Sequence, residues 1–347
     1  MADINVSITK QGQVLSQAGF GICLLVATDK AFPYKLYDIS KDLSAVQTDF
    51  PSGTILNMAE TFAAQQPRPQ KLAIFGVDLS ASSSKATDLA TALNTLISTN
   101  NDWLRLALDD QTEALITAVS TWAEANEKIF YTQFGITTFT TNFNSNTRTI
   151  LGFKLVPGTG TVDRLDCAMM GFAASRIPGS FTFKFKQLNV ISADALSGSQ
   201  VAAAQALNMN CYYNKFTVIG IGTAQIDGGT TASGDFIDSI ESRDYVKATI
   251  QQFIAQLLIS TDKVPFNDDG IQQVVACVQA ALNQAYNNGI IDTKANGTPD
   301  FNVSYKTVSS LNSNDVAARN LKGITFTYSE LGAIHSMDIN GSVTVDL

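Results

Sequence analysis

The sequence predicts a two-part α+β chain, and three patterns carry that prediction. From Phe20 to about Leu155, apolar strand-like runs alternate with amphipathic helical stretches. Between Gly234 and Asp292, two amphipathic helices follow one another with no strand between them. Toward the C-terminal end, apolar and polar residues alternate again with the period of a strand. A length of 347 residues allows about two domains, at ~150 residues each. The first pattern argues an α/β layer with a largely parallel sheet.

Composition narrows the function classes. A hydrophobic fraction of 45% is enough to fill real cores, which excludes a disordered chain. The formal charge of −8, with no Lys/Arg cluster, argues against nucleic acid as a partner, because displacing phosphate counterions needs a basic footprint. Charged residues make up 16% of the chain, low against about 25% in ordinary domains. The surface is therefore rich in Asn, Gln, Ser and Thr, which suits contact with other protein. Cys23, Cys167, Cys211 and Cys277 stand far apart in apolar settings. They read as buried free thiols of a protein made in a reducing cytoplasm. The N-terminal stretch MADINVSITK lacks the basic-then-apolar pattern of a signal peptide. The longest apolar run, Phe20–Ala27, is far short of the ~20 residues of a membrane helix. A soluble chain with no direct membrane insertion is expected.

Taken in order, residues 4–10 alternate, with Ile4, Val6 and Ile8 on one side, and predict a short strand on a polar tether. The layer follows, with strands expected at Phe20–Ala27, Lys71–Val77, Trp103–Ala107, Lys128–Gln133 and Thr149–Leu155. Helices are expected at Thr54–Gln65, at Ser83–Ser98 and after Asp110, each with an apolar face at helical spacing. Val162–Ser175 predicts another helix, Phe181–Leu188 a strand with its aromatics inward, Ser199–Leu207 a helix and Tyr212–Ile219 a strand. Gly220–Gly234 reads as a hairpin or exposed loop.

The helical pair is the most strongly patterned stretch. Val246, Ile250, Phe253, Ile254, Leu257 and Leu258 share one helical face. Ile271, Val274, Val275, Val278, Leu282 and Ala285 share another. Pro265 stops the first helix, Asn267–Gly270 supplies a cap and turn, and Gly289 ends the second. Ile324, Phe326 and Tyr328 then alternate as a strand, and Met337, Ile339, Val343, Val345 and Leu347 as a terminal one, with Asn340-Gly341 as a turn or bulge within it.

Chemistry-bearing patterns are weak. His335 is the single histidine, and its neighbours Ser336 and Asp338 cannot form a triad by adjacency in a strand. The glycines at 220, 222, 228, 229 and 234 match no nucleotide-binding fingerprint. Ser80–Lys85 reads as ordinary helix capping, and Asn267–Gly270 lacks the ligand spacing of a calcium loop. No catalytic residue, metal site or cofactor is expected.

Residue order carries one further reading. Gly234-Asp-Phe-Ile-Asp238, Asp244-Tyr245, Lys263-Val-Pro-Phe266, Asp269-Gly-Ile271 and Asn288-Gly-Ile-Ile291 together resemble the C-terminal core of contractile tail sheath proteins. Asp49-Phe50, Gln65-Gln-Pro67, Pro178-Gly-Ser180, Asn210-Cys-Tyr-Tyr213 and Gly332-Ala-Ile-His335 are similar to the same family in the same order. The resemblance implies an α/β part, residues 20–180, inserted into a core built from both chain ends. That core would comprise an N-terminal arm (1–19), a sheath core (181–336) and a C-terminal strand arm (337–347). It implies that Ile4, Val6, Ile8, Ile339, Val343, Val345 and Leu347 lie on arms that add strands to neighbouring subunits. Val246, Ile250, Phe253, Leu257, Pro265, Ile271, Val275, Val278 and Leu282 would form the core helical pair. It further implies stacked rings of identical subunits around a tail tube, with baseplate and tail terminator proteins as partners, in a virion tail or tail-like particle. The rival readings are an α/β enzyme or ligand-binding protein, and another tube or baseplate component.

Overall fold

Ile22-Cys-Leu-Leu-Val-Ala27 forms a strand (β1) that is buried at every residue, as a strand covered on both faces must be. The computed structural model describes residues 17–135, 141–155, 163–216 and 222–339. Seven more strands join β1 in one sheet: β2 (Phe32–Asp38), β3 (Lys71–Gly76), β4 (Arg105–Leu108), β5 (Ile129–Phe134), β6 (Thr149–Phe153), β7 (Asn210–Tyr213) and β8 (Gln225–Asp227). Their order is β2-β3-β1-β4-β5-β6-β7-β8. The inner strands are parallel, with Leu24 beside both Ala73 and Leu106, while β2 and β8 run antiparallel at the edges. Edge strand β2 carries Pro33 and a register shift between Phe32 and Lys35, features that discourage further pairing there.

Helices cover both faces: α1 (Ser44–Asp49), α2 (Thr54–Ala63), α3 (Lys85–Thr99), α4 (Glu113–Ala125), α5 (Leu165–Ala174), α6 (Gly198–Ala206), α7 (Ile237–Ser260) and α8 (Asp268–Asn287). Because strand side chains alternate, the core divides in two. Leu24, Val26, Leu106, Phe130 and Leu151 meet Leu89 and Leu93 of α3 and Ile116, Val119 and Trp122 of α4. Cys23, Leu25, Ala107, Tyr131 and Ile150 meet α2, α5, α7 and α8 through Met58, Phe62, Met169, Val246 and Leu282. A separate two-stranded ribbon, β9 (Phe301–Ser304) with β10 (Thr325–Tyr328), lies against this second core, and a short helix, α9 (Ser313–Ala317), sits in the loop joining its strands.

Most elements stand where periodicity puts them, and the differences have physical causes. The expected boundary at residue 180 is no break in the layer: β7 and β8, from residues 210–227, continue the same sheet. Phe181–Leu188 is not a strand. Phe185 takes a positive φ of 64°, which ends any extended run. Phe181 and Phe183 instead pack on Phe172 at 5.7 Å each. The same segment covers the outer edge of β8, since Phe185 N donates to Ile226 O and Ile226 N donates to Lys186 O. The strand expected at Tyr212–Ile219 is the shorter Asn210–Tyr213, with residues 217–219 outside the described ones. The glycine-rich stretch contains the buried β8 rather than only an exposed loop. Met337, Ile339 and His335 lie in irregular chain, not in a strand. The candidate arm residues Ile4, Val6, Ile8, Val343, Val345 and Leu347 fall outside the described residues.

Helix α5 crosses α2 so closely that a Cβ on Gly171 would stand 2.4 Å from the carbonyl oxygen of Phe62. Gly171→Ala is therefore expected to cost about 1–3 kcal/mol, the usual price of overpacking. Urea denaturation checks it, and an unchanged midpoint would contradict the close crossing.

Candidate functional site

In open α/β sheets, ligands sit beyond the carboxyl ends of the strands, where strand order reverses. Here that place lies between β1 and β4, and the chain's own side chains occupy it. Thr28 N lies 3.1 and 3.0 Å from the two carboxylate oxygens of Asp109, and Thr28 Oγ1 donates to Asp109 Oδ1 at 2.8 Å. Arg164 Nη2 donates to Leu108 O at 2.7 Å while its fork grips Asp166 at 3.0 and 2.7 Å. Arg164 and Asp166 are each 1% exposed. Among the described residues no group of His, Cys, Asp or Glu could hold a metal ion. No described helix is long and apolar enough to cross a membrane. His335 meets Thr182 and Phe236 rather than a nucleophile.

The feature with the greatest concentration of buried charge is the seam between the sheet and α7. The expected apolar face is present, with Val246 and Ile250 buried and Phe253 and Leu257 half-buried. Leu258, expected on that face, is instead exposed at 46%. The helix begins well before this face, however, and its first turns lay polar residues on the sheet. Glu241, Asp244, Lys247 and Gln251 recur at helical spacing. Arg105 Nε donates to Glu241 Oε1 at 2.9 Å, with both side chains at 0% exposure. Arg105 Nη2 is 2.8 Å from the same oxygen but outside hydrogen-bond geometry. Arg105 Nη1 donates to Phe20 O at 2.5 Å. The Arg148 fork binds the Asp244 carboxylate at 2.8 and 2.7 Å, and Lys247 Nζ meets Glu127 at 2.9 Å. Burial pushes the Glu241 carboxyl above its ordinary value, against the pull of Arg105. A charged Arg105 inside the apolar run Trp103–Leu108 was the available sequence signal for this seam.

A cavity of about 30 Å³, lined in part by Asn126, Glu127, Lys128, Asp244 and Gln251, opens beside the seam. It has room for a water or two and no more. Lys128 lies at its wall at 3% exposure. Its Nζ donates to the carbonyls of Asn101 and Trp103 and sits 4.2 Å from the Trp103 ring centroid. Burial lowers its pKa from 10.5 to about 7.

The second feature is the β9–β10 ribbon. Its register pairs Phe326 with Val303 and Tyr328 with Phe301. Phe301, Val303, Phe326 and Tyr328 turn to the core and the alternate residues outward. Among the described residues no third strand pairs with either edge. A two-stranded ribbon is marginal by itself, and its edges are where a further strand could add. Just past β10, residues 290–292 pair with 329–331, Asp292 N donating to Ser329 O and Leu331 N to Ile290 O at 2.9 Å each. The helical pair holds it up. Asn267 Oδ1 caps α8 by accepting from Gly270 N at 2.9 Å, and a Cβ on Gly270 would be 1.8 Å from Pro265 O. Ile271, Val275, Val278 and Leu282 are buried, and Tyr245 OH accepts from Gln284 and Asn288 at 2.9 Å each, tying α7 to α8. Near its described ends the chain meets α7 and the residue before it. Phe20 packs tilted against Tyr245 with ring centroids 5.8 Å apart, and His335 packs on Phe236, just before the helix. The helical pair expected from sequence is thus brought together, whereas Ile339 is 88% exposed.

The overall fold has counterparts among solved structures. The chain is similar over 99% of its length to a chain of the anti-feeding prophage helical sheath in its contracted state, at 12% identity, a TM-score of 0.71 and 99% coverage of that chain. A chain of the anti-feeding prophage baseplate gives the same TM-score and identity, covering 99% of this chain and 98% of that one. The contracted PVC sheath of an extracellular contractile injection system matches at 10% identity and a TM-score of 0.66, over 98% of this chain and 96% of that one. By sequence, residues 237–343 match the family described as E217 tail sheath protein gp31-like, C-terminal domain. The sheath resemblance is therefore carried by sequence through α7, α8 and the ribbon, and by fold through the rest. No curated protein matches the chain.

Two outcomes follow from the seam. Removing one partner of a fully buried ion pair strands the other, so Glu241→Gln is expected to cost about 3–5 kcal/mol. The double change Arg105→Met with Glu241→Leu should recover most of that in denaturant titrations; equal loss in both variants would contradict the pairing. For Lys128, the unfolded chain keeps a proton between pH 7 and 10.5 that the folded chain releases, so stability rises with pH across that window. Below it both states are protonated and the full penalty of burial applies. Lys128→Met should flatten the rise between about pH 7 and 9, read from urea midpoints; parallel curves for variant and parent would contradict it.

Proposed function

We propose that this chain is a structural subunit of a contractile tail sheath. It would polymerise as stacked rings around a tail tube and shorten to drive that tube through a target envelope. The observation that carries the reading is the open β9–β10 ribbon held on the helical pair that matches the tail-sheath family. The described ends of the chain meet α7 at Tyr245 and the residue before it, Phe236, through Phe20 and His335. An arm from a neighbouring copy, with Ile4, Val6 and Ile8 or with Ile339, Val343, Val345 and Leu347 alternating across its faces, would complete the ribbon by backbone pairing. Such pairing is directional and tolerant of side-chain change. A strand on a tether also stays paired while the body it comes from rotates.

The remaining partners follow from the same reading: other copies of this chain, the tail tube, and baseplate and terminator proteins at the two ends. The likeness to a chain from a baseplate structure supports contact at that end. Contraction would draw on the difference between two packings of the same subunits, with no cofactor or nucleotide. The division into a core of both chain ends and an inserted part between them belongs to this proposal. In this reading the two parts share one sheet and one core.

The test is electron microscopy of the purified full chain beside two truncations, one lacking residues 1–12 and one lacking those after Met337. The full chain should form hollow cylinders with a helical lattice, and each truncation should remain a folded monomer. Ordered cylinders from either truncation would overturn the role of that arm.

A further inference from the structure

Leu331 N still donates to Ile290 O at 2.9 Å, and beyond it the last described stretch runs out exposed: of residues 331–339 eight are exposed, and His335 alone is half-buried. Its imidazole has a defined seat. Nε2 lies 2.9 Å from Thr182 Oγ1. The ring stands edge-on to Phe236, with centroids 4.9 Å apart and planes at 88°. Cε1 is 3.7 Å from where a Cβ on Gly229 would be, so the seat's floor is backbone in a left-handed conformation (φ +101°). Thr182 Oγ1 already accepts from Lys184 N at 3.3 Å. Its own proton can then point at Nε2, and in the neutral tautomer that carries the ring proton on Nδ1 the seated ring accepts it.

The charged groups around the ring oppose one another. Asp238, in the first turn of α7, favours the imidazolium; Lys184, on the segment that carries Thr182, disfavours it and is itself held by Asp227 at 2.6 Å. Glu330, preceding the departing stretch, acts on Asp238. Burial, helped by Lys184, outweighs Asp238 and holds His335 below its ordinary value.

We propose that Thr182, Gly229 and Phe236 form a seat for neutral His335 that pins the C-terminal segment to its own subunit, and that protonating the imidazole unseats it. The peg then governs how freely the stretch beyond Leu331 swings. One proton is taken up per release, so the seated fraction falls as pH drops through the ordinary histidine range near ~6.5. The bearing of this latch on assembly rests on the sheath reading above, whereas the latch itself is a property of one subunit.

A spin label on Ser336→Cys in the full chain tests it. The label goes into a Cys277→Ser background, since Cys23, Cys167 and Cys211 are buried. The electron paramagnetic resonance line shape is recorded on dispersed subunits at pH 8 and pH 5, so a failure to assemble leaves the readout intact. The label should be restricted at pH 8, with the mobile fraction rising several-fold at pH 5. His335→Ala should be mobile at both values. His335→Gln, whose amide can still accept from Thr182 without titrating, should be restricted at both. An unchanged line shape between the two pH values, or a restricted label in His335→Ala, would overturn the proposal.

Discussion

The Arg105–Glu241 pair is the contact on which the arrangement of this molecule turns. It lies where three parts of the chain meet: the central strand β4, the long helix α7, and the backbone of Phe20 where the N-terminal segment enters the layer. Two charges at zero exposure are stable only together, so any shift of α7 along the sheet would strand both. Arg148 with Asp244 and Lys247 with Glu127 repeat the constraint along the same helix. The apolar contacts of α7 would tolerate sliding by a turn, because Val, Ile and Leu faces are interchangeable to a first approximation. The ion pairs do not, and in this way charge sets the register of a helix that hydrophobicity only attracts.

That seam gives the ribbon its footing. Helix α7 carries α8 through Tyr245, α8 carries β9 and β10, and Phe20 and His335 near the described ends contact Tyr245 and Phe236. The subunit thus places the ribbon on a helical pair that buried ion pairs tie to the layer. On the proposed reading, force passed through a neighbour's strand would enter the ribbon, cross the helical pair and reach the sheet through buried charge. The filled crevice between β1 and β4 fits a protein whose layer is scaffold.

Much of this was legible in the residues. The buried parallel strands announced themselves as short apolar runs, and α2, α3, α4 and α8 as periodic faces with Pro, Gly or Asn at their ends. The helical pair at 237–287 carried both the clearest pattern and the family resemblance. Three things were hidden, each for a physical reason. The seam was hidden because Glu241, Asp244 and Lys247 look like a solvated face until their partners from 105, 127 and 148 arrive. Strand β8 was hidden because three residues among glycines carry no period. Phe181–Leu188 misled because its alternation serves an aromatic cluster with Phe172 and a cover for the β8 edge, not a ladder, and one residue of positive φ suffices to end it. The role of the arms was inferred from pattern and resemblance, since most of their residues lie outside the described part of the chain.

The most direct measurement is a cryo-electron microscopy reconstruction of the assembled full chain, read at the ribbon. The account predicts strands from neighbouring copies hydrogen-bonded to the outer edges of β9 or β10, with the Arg105–Glu241 pair intact in every subunit. An assembly whose subunits touch only through side-chain surfaces, leaving both ribbon edges unpaired, would contradict it.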